Sequence, residues 1–447
     1  MQPRPRIRPC CGAHPHREPR RCARTGRKAA GVAAVVGTLG LLGLLSPAVP
    51  QPQGLPSPQE LLAEATQAAQ RIPAASQRLL VLADLGLLWA PLDEARARQT
   101  WAEGRAAAQA LPDDLPRSLA LGSVASRIAT LDAAWATEVF GEAAQVASRL
   151  ALPEQQALVY AELAARRQAS DPAAAVPLME QALQAARQAA EGPPRAEALL
   201  AVASARRRCG DAAATTVLQE AIAALVGLGD PDADYTRGLL APELAYTDPQ
   251  AAVAMAEAIA DEEARAAALG QVVRVVAAAD LGRAAEIARG ISSEAVAANA
   301  LADLAQTAAD PGVRATLLAE AQSRAERAAE PLTQDEALAV VAGALAPTQP
   351  EEALVLAQSL STAEGRDRAL GLVACGLASQ NLERALGLAR GIGNRPERER
   401  ALAGVAAALA RRDPAQAYQL LPEIRDPRLR ADVLTKLAVA AGTTGDA

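Results

Sequence analysis

A branched aliphatic residue followed by Ala or Val recurs along this chain at Leu82, Val124, Leu163, Val202, Leu244, Val272, Leu304, Val341, Val373, Val405 and Leu437. The spacings are 42, 39, 39, 42, 28, 32, 37, 32, 32 and 32 residues, an internal period that constrains the fold more than any other feature of the sequence. Three residues before the anchor stands Leu in nine of the eleven copies, such as Leu338, Leu370 and Leu402, and four after it comes Leu345, Leu377 or Leu409. This is the i, i+3, i+7 stripe of a helix buried on one face. A second stripe follows in each repeat: Ala353, Leu356, Ala357, Leu360; then Ala385, Leu388, Ala389, Ile392; then Ala417, Leu420, Leu421, Ile424. Each copy therefore encodes two helices, and neither can cover its apolar face without the neighbouring copies.

Between the two stripes sits a residue suited to capping a helix, Asp280, Asn381 or Asp413, often with Pro after it as in Asp171-Pro172, Asp248-Pro249 and Asp413-Pro414. The Asp side chain accepts the unpaired N–H groups of a helix start, and Pro tolerates the first helical position. From Leu244 to Ala252 is eight residues where other copies have twelve, which predicts a first helix one turn short in the 28-residue copy. The early, longer copies leave room for longer second helices such as Pro172 to Glu191. With 51% hydrophobic but only 2% aromatic residues, the core must consist of Ala, Leu, Val and Ile, which favours close helix packing. The expected fold is all-α, a right-handed αα-superhelix (solenoid) of about eleven degenerate helix-hairpin repeats.

The order Leu370-x2-Val373-Ala374-x2-Leu377, then Ala385-x2-Leu388-Ala389, resembles the tetratricopeptide-like helical repeats, and the longer early copies approach HEAT-type repeats. The resemblance covers nearly all of residues 58–441. Leu or Ala fills that family's aromatic positions and its closing Pro is mostly missing. What the resemblance implies is a curved solenoid with a concave binding face, and no chemistry.

Ahead of the repeats lies a leader. Residues 1–28 carry eight Arg and Lys28 against Glu18; the apolar run Ala29 to Leu45 follows, then Ser46-Pro47-Ala48, the layout of a secretory signal peptide or an uncleaved membrane anchor. Residues 1–48 thus read as an export segment, 49–57 as a Pro/Gln-rich linker, 58–240 as the longer repeats, 241–441 as the shorter ones and 442–447 as a tail. Either outcome for residues 29–48 places the repeats outside the membrane, in the cell envelope as a periplasmic or extracellular domain. After residue 28 there remain 36 basic and 50 acidic residues, and that acidic body disfavours nucleic acid and anionic lipid as partners. After Leu437 the last copy has no second helix, which predicts an exposed end.

Chemistry has few places to reside. Cys10, Cys11, Cys22, His14 and His16 all lie in the leader, where an unstructured reading outweighs a zinc site. No His follows residue 48, so the repeats lack the Ser-His, Cys-His and His-metal arrangements. Cys209 and Cys375 fall in copies far apart and are expected to be two buried thiols. Asp230-Pro231-Asp232-Ala233-Asp234 starts like a calcium loop, but Tyr235 stands where Gly is needed and Ala241 where Glu should close the site. Arg stands seven residues before the anchor in seven copies: Arg117, Arg195, Arg237, Arg265, Arg366, Arg398 and Arg430. That position near a helix start disfavours a cation; in the structural reading Asp261, Asn394 and Asp426 cap the helix while Arg reaches back to them or across to the next repeat. The other reading is a row of cations that collects an anionic partner. Trp89, Trp101 and Trp135 cluster in the first two copies, as local core or as a contact patch. The candidate binding residues are therefore Trp89, Trp101, Trp135, Arg265, Arg366, Arg398 and Arg430, with no catalytic, cofactor or metal residue assigned. The function expected is an exported, non-catalytic scaffold that binds another protein or a peptide; the alternative is a small-ligand receptor or a carboxylate-based enzyme on the same superhelix.

Overall fold

The structure is a computed structural model that describes residues 55–228 and 231–443. The leader 1–48 and most of the linker 49–57 lie outside the described residues. Those that are described contain 22 α-helices and no strand, and all of them belong to one compact unit.

Eleven helices carry the anchors, in chain order α2 (Ala75–Trp89), α4 (Asp114–Ile128), α6 (Pro153–Arg167), α8 (Pro193–Arg208), α10 (Pro231–Leu244) and α12 (Glu262–Ala277). The series continues with α14 (Glu294–Thr307), α16 (Pro331–Leu345), α18 (Ala363–Leu377), α20 (Arg395–Leu409) and α22 (Pro427–Thr443). Between them run the second helices α3 (Glu94–Gln109), α5 (Ala133–Ala147), α7 (Pro172–Gln188), α9 (Ala214–Ala223) and α11 (Pro249–Glu257). These are followed by α13 (Leu281–Gly290), α15 (Pro311–Glu326), α17 (Pro350–Ser359), α19 (Leu382–Gly391) and α21 (Pro414–Gln419). One more helix, α1 (Pro58–Gln70), precedes the first anchor. The second helices start as the sequence dictates: Asp171, Asp248, Asp280, Asn381 and Asp413 each accept the N–H three residues on.

Each anchor helix packs on its own second helix and on the anchor helices before and after it. The second helices do not pack along one another, so the anchor helices occupy the shorter, inner circuit and the second helices the outer one. The expectation of an exposed end after Leu437 is corrected by the ends themselves. Helix α1 packs along α22 as closely as second helices pack within their own hairpins, and α22 also touches α2. The missing second helix of the last repeat is thus the first helix of the chain, and the eleven hairpins close into a ring. Leu61, Leu62, Ala65 and Ala69 of α1 and Val433, Leu434 and Leu437 of α22 are fully buried, each large side chain contributing about 1.5–3 kcal/mol of transfer free energy. At the same junction Tyr418 donates to Glu64 at 2.7 Å, and Arg430 stands 3.7 Å from the other oxygen of that carboxylate. Ser57 and Glu60 form a reciprocal capping box that starts α1.

A second correction concerns register. Helix α10 ends at Leu244, Asp248 caps the next helix and Ala252 is buried in it. In the copies anchored at Val124, Val373 and Val405 the helix ends four residues after the anchor, the cap lies eight after and the buried Ala twelve, as with Val373, Leu377, Asn381 and Ala385. Counting back, the anchor of this copy is Leu240-Ala241, both fully buried. No helical turn is missing, and the two spacings become 38 and 32 residues. Leu244-Ala245 imitates the anchor because residues four apart share a helix face.

The apolar core is continuous across the closure and interrupted elsewhere. One cluster runs from Ala241 through α22 and α1 as far as α6, where it includes Leu163 and Ala164, and a second takes over between Ala157 and Leu240. The boundary falls inside α10, between Leu240 and Ala241, while Val217, Leu218 and Ala221 of α9 share a cluster with Ala233 and Leu240 of α10. The ten-residue α9 packs less closely on the following anchor helix than the other second helices do, and a cavity of about 670 Å³ opens between α9 and α11, lined by Leu218, Ile222, Leu244, Ala251, Ala254 and Met255. Hydrogen exchange tests both features. Amides in the middle of α1 and α22 should exchange as slowly as those of α18, whereas those of α9 should exchange first; rapid exchange in α1 and α22 together would mean that the ring is open in solution.

Candidate functional site

The inner wall is formed by the faces of the anchor helices turned away from the second helices. Period 3.6 assigns to it the residues five before, one before and three after each anchor. Charged side chains on this wall pair between adjacent helices: Arg127 with Asp84 at 2.7 Å, Arg208 with Glu162 at 2.5 Å, Arg207 with Glu243 at 2.5 Å and Arg368 with Glu336 at 3.8 Å. Small residues allow close approach, as where Leu372 of α18 lies against Gly343 of α16 and Cys375 of α18 against Gly404 of α20. Between the charges, large apolar groups remain open to solvent: Leu158 (41% exposed), Tyr235 (63%), Leu239 (38%) and, just beyond α10, Tyr246 (53%). The Arg207 guanidinium stacks 3.7 Å from the Tyr246 ring centre. Asp303 is exposed, and partial desolvation by its surroundings raises its pKa, with Arg274 opposing.

The outer surface is laced differently. Arg105 pairs with Glu138 and Glu142, Arg187 with Glu220, Arg289 with Glu320, Arg384 with Glu351 and Arg390 with Glu423. Each bridge joins successive second helices, or in the last case α19 and the 3-10 turn Leu421–Glu423 that follows α21, across a gap their backbones do not close. Such exposed pairs add only about 0–1 kcal/mol each, so they align the hairpins more than they hold them.

The row of arginines has one structural task. Arg265, Arg366 and Arg398 donate to the carbonyls of Ile259, Leu360 and Ile392 at 2.8, 2.7 and 2.9 Å, and Arg117, Arg195 and Arg430 to those of Leu111, Ala189 and Leu421. These carbonyls lie at or just beyond the end of the preceding second helix, where unpaired C=O groups and the negative end of the helix dipole favour a cation. The unfavourable helix start is thereby outweighed. Asp261 and Asn394 cap their helices as expected, but the arginines reach past them to the backbone. In the corrected register Arg237 stands three before its anchor; it serves Leu228 in the same way. Where Arg is missing from the row, Arg78, Gln156, Arg324 and Gln334 serve Ile72, Leu150, Ile291 and Glu326.

Trp89 and Trp101 are 1% and 0% exposed. Their ring nitrogens donate to Thr66 Oγ1 at 3.1 Å and to the Ala83 carbonyl at 3.0 Å, and half-buried Trp135 meets Trp101 edge to face at 6.5 Å. The three form core in the first hairpins, and the structure does not bring them together with the arginine row. The thiols correct their expectation: Cys209 and Cys375 are half-buried rather than buried. Burial nevertheless raises both pKa values, which disfavours thiolate chemistry. The acidic run is no loop from Pro231 on but the start of α10, and its Asp234 is buried and engaged, accepting from Arg237 at 2.5 Å and from the Ala260 N–H at 2.9 Å.

Asp234 belongs to a set that sequence reasoning missed. A carboxylate six residues before the anchor reaches forward to the loop preceding the next anchor helix: Asp335 accepts from the backbone and hydroxyl groups of Ser361 and Thr362, Asp367 from the Asn394 N–H, and Glu399 from the Arg425 and Asp426 N–H groups. The signal was present in Arg366-Asp367 and Arg398-Glu399, an acid directly after the ladder arginine. Burial raises the Asp335 pKa, but the Thr362 and Ser361 donors outweigh it and hold the value below the usual aspartate range.

No family model matches the chain, and no curated protein matches it. Among solved structures it is similar to Ton1535 from Thermococcus onnurineus NA1, at 18% identity and a TM-score of 0.33, over 78% of this chain and 98% of that one.

Two substitutions check this electrostatic account. Arg398→Ala should cost about 1–2 kcal/mol by removing donors from the Ile392 carbonyl, whereas Arg400→Ala, which breaks only an exposed pair with Glu397, should leave the urea midpoint nearly unchanged. Asp335 has a folded pKa below its unfolded one, so its contribution is full above about pH 4 and is lost as pH falls through the folded value. Asp335→Asn should therefore unfold more easily than wild type by about 1–3 kcal/mol at pH 7, and the difference should shrink in unfolding curves taken toward pH 3.

Proposed function

We propose that this chain is an exported, non-catalytic scaffold of tetratricopeptide-like or HEAT-like kind, which docks another protein or an extended peptide on the inner wall of its ring. The observation that carries this reading is the row of solvent-open apolar side chains Leu158, Tyr235, Leu239 and Tyr246 on a wall whose charges are largely paired with one another. Exposed large apolar groups beside aromatic ones are the composition of a docking surface. Their distribution over α6 and α10, two repeats separated by a third, suits an extended partner better than a compact ligand. Export rests on the basic and apolar order of residues 1–48. Among the described residues no helix is long and apolar enough to cross a membrane, so any anchoring would fall to residues 29–48.

The test is cross-linking and pull-down from an envelope extract with wild type and a Tyr235→Ala/Leu239→Ala double variant. One stoichiometric protein should be captured by wild type, and capture should fall at least about tenfold in the variant, as for two central hot-spot residues, with melting temperature unchanged because both side chains are exposed. Capture that is indifferent to the two substitutions would remove the inner wall from the reading.

A further inference from the structure

We propose that Arg127, Arg166 and Arg208 form a binding site for a small oxyanion, a carboxylate or a phosphate, on the inner wall of the ring. The site goes beyond protein docking, because it can fill without any macromolecular partner.

The three arginines come from consecutive anchor helices, α4, α6 and α8. Arg127 and Arg166 occupy the same position, three after the anchor; Gly122 of α4 leaves room for Leu163 of α6, and the Arg166 stem lies in ordinary contact beside it. Glu162 ties two of the three together, with Arg166 Nε at 2.8 Å and Arg208 Nη2 at 2.5 Å. Arg127 uses its Nε on Asp84 at 2.7 Å and one Nη on Ser123. Three guanidiniums therefore share two carboxylates. The flanking arginines add no spare acid, since Arg167 is held by Asp171, Arg206 by Asp211 and Arg207 by Glu243.

The excess charge is concentrated on Arg166. Its Nε contacts Glu162 but is buried without an aligned hydrogen bond. Burial lowers its pKa, Glu162 opposes, and Arg127 and Arg208 lower it further, an unusual position for a group that gains most from paired acceptors. All three arginines lie in the last turns of their helices, where carbonyl ends offset part of their repulsion and let the cluster persist without a ligand. A carboxylate or phosphate supplies both missing elements, a negative charge and two in-plane acceptors for a guanidinium fork. In a half-enclosed wall that pairing is stronger than on an open surface.

Thermal unfolding of the full chain tests the site, with sodium phosphate and sodium succinate titrated separately against sodium chloride at matched ionic strength. Wild type should gain several degrees with at least one oxyanion, saturably, as a ligand that binds the native state requires. In Arg166→Gln the gain should vanish, and the melting temperature without oxyanion should be equal to or above that of wild type, because a repelled cation is gone. Arg283→Gln, which alters an exposed pair with Glu286 on α13, should keep the gain. Glu162→Gln provides a second reading, since removing the competing carboxylate should tighten oxyanion binding about tenfold. The proposal is overturned if wild type responds no more to either oxyanion than to chloride. It is equally overturned if Arg166→Gln melts lower than wild type while the oxyanion gain persists, or if Glu162→Gln binds no tighter.

Discussion

A hairpin of two amphipathic helices has more apolar surface than its own packing can cover, and the whole architecture follows from where the remainder goes. In this chain it goes to the next hairpin, ten times in succession, and then from the last hairpin back to the first helix. An open array must finish with polar caps; α1 and α22 instead complete each other, with Leu61, Leu62, Leu434 and Leu437 fully buried at the junction. The interior accordingly needs few aromatic residues. Ala at close contact, Leu between layers and Gly where anchor helices approach fill it, and the three Trp residues fill the wider first hairpins.

Ring closure turns helix ends into the main electrostatic problem, because the 22 helices of the described residues present many unpaired backbone groups close to the core. The chain answers it with two devices of opposite sign. Arginines or glutamines reach back to the carbonyls that end the second helices, and carboxylates, most of them buried, reach forward to the N–H groups that precede the next anchor helices. Both act between elements adjacent in sequence, so a hairpin gains its end groups from the same neighbours that cover its apolar face. Charge on the inner wall is largely neutralised within the ring itself, and the Arg166 cluster is conspicuous because it is not.

The hairpins were legible in the sequence because helical period and capping residues are local signals. Asp280, Asn381 and Asp413 mark helix starts as plainly in one dimension as in three. The slip at Leu244 has the same origin: a helix repeats its face every turn, so an anchor displaced by four residues satisfies the same pattern. The arginine row was visible, but its acceptors are main-chain carbonyls, which have no letter in a sequence. Closure was invisible for a further reason. Nothing local relates Leu61 to Leu434, and the absent second helix after Leu437 read as an ending until the fold placed α1 beside it. The solvent-open wall residues Tyr235 and Leu239 were likewise hidden, since a stripe analysis registers what is buried and passes over what faces an opening.

An open solenoid can gain or lose a unit by duplication and simply become longer or shorter. A closed one cannot, because each hairpin must turn the path by about 33° for eleven to meet, and a tenth or twelfth leaves the two termini out of register, as in any assembly whose rotation fails to close. Evolution of this chain by repeat duplication is therefore confined to the rare event that changes the angle of every unit at once. Changes of length within a repeat carry no such penalty, and the ring accommodates early hairpins of 38 to 42 residues beside later ones of 32.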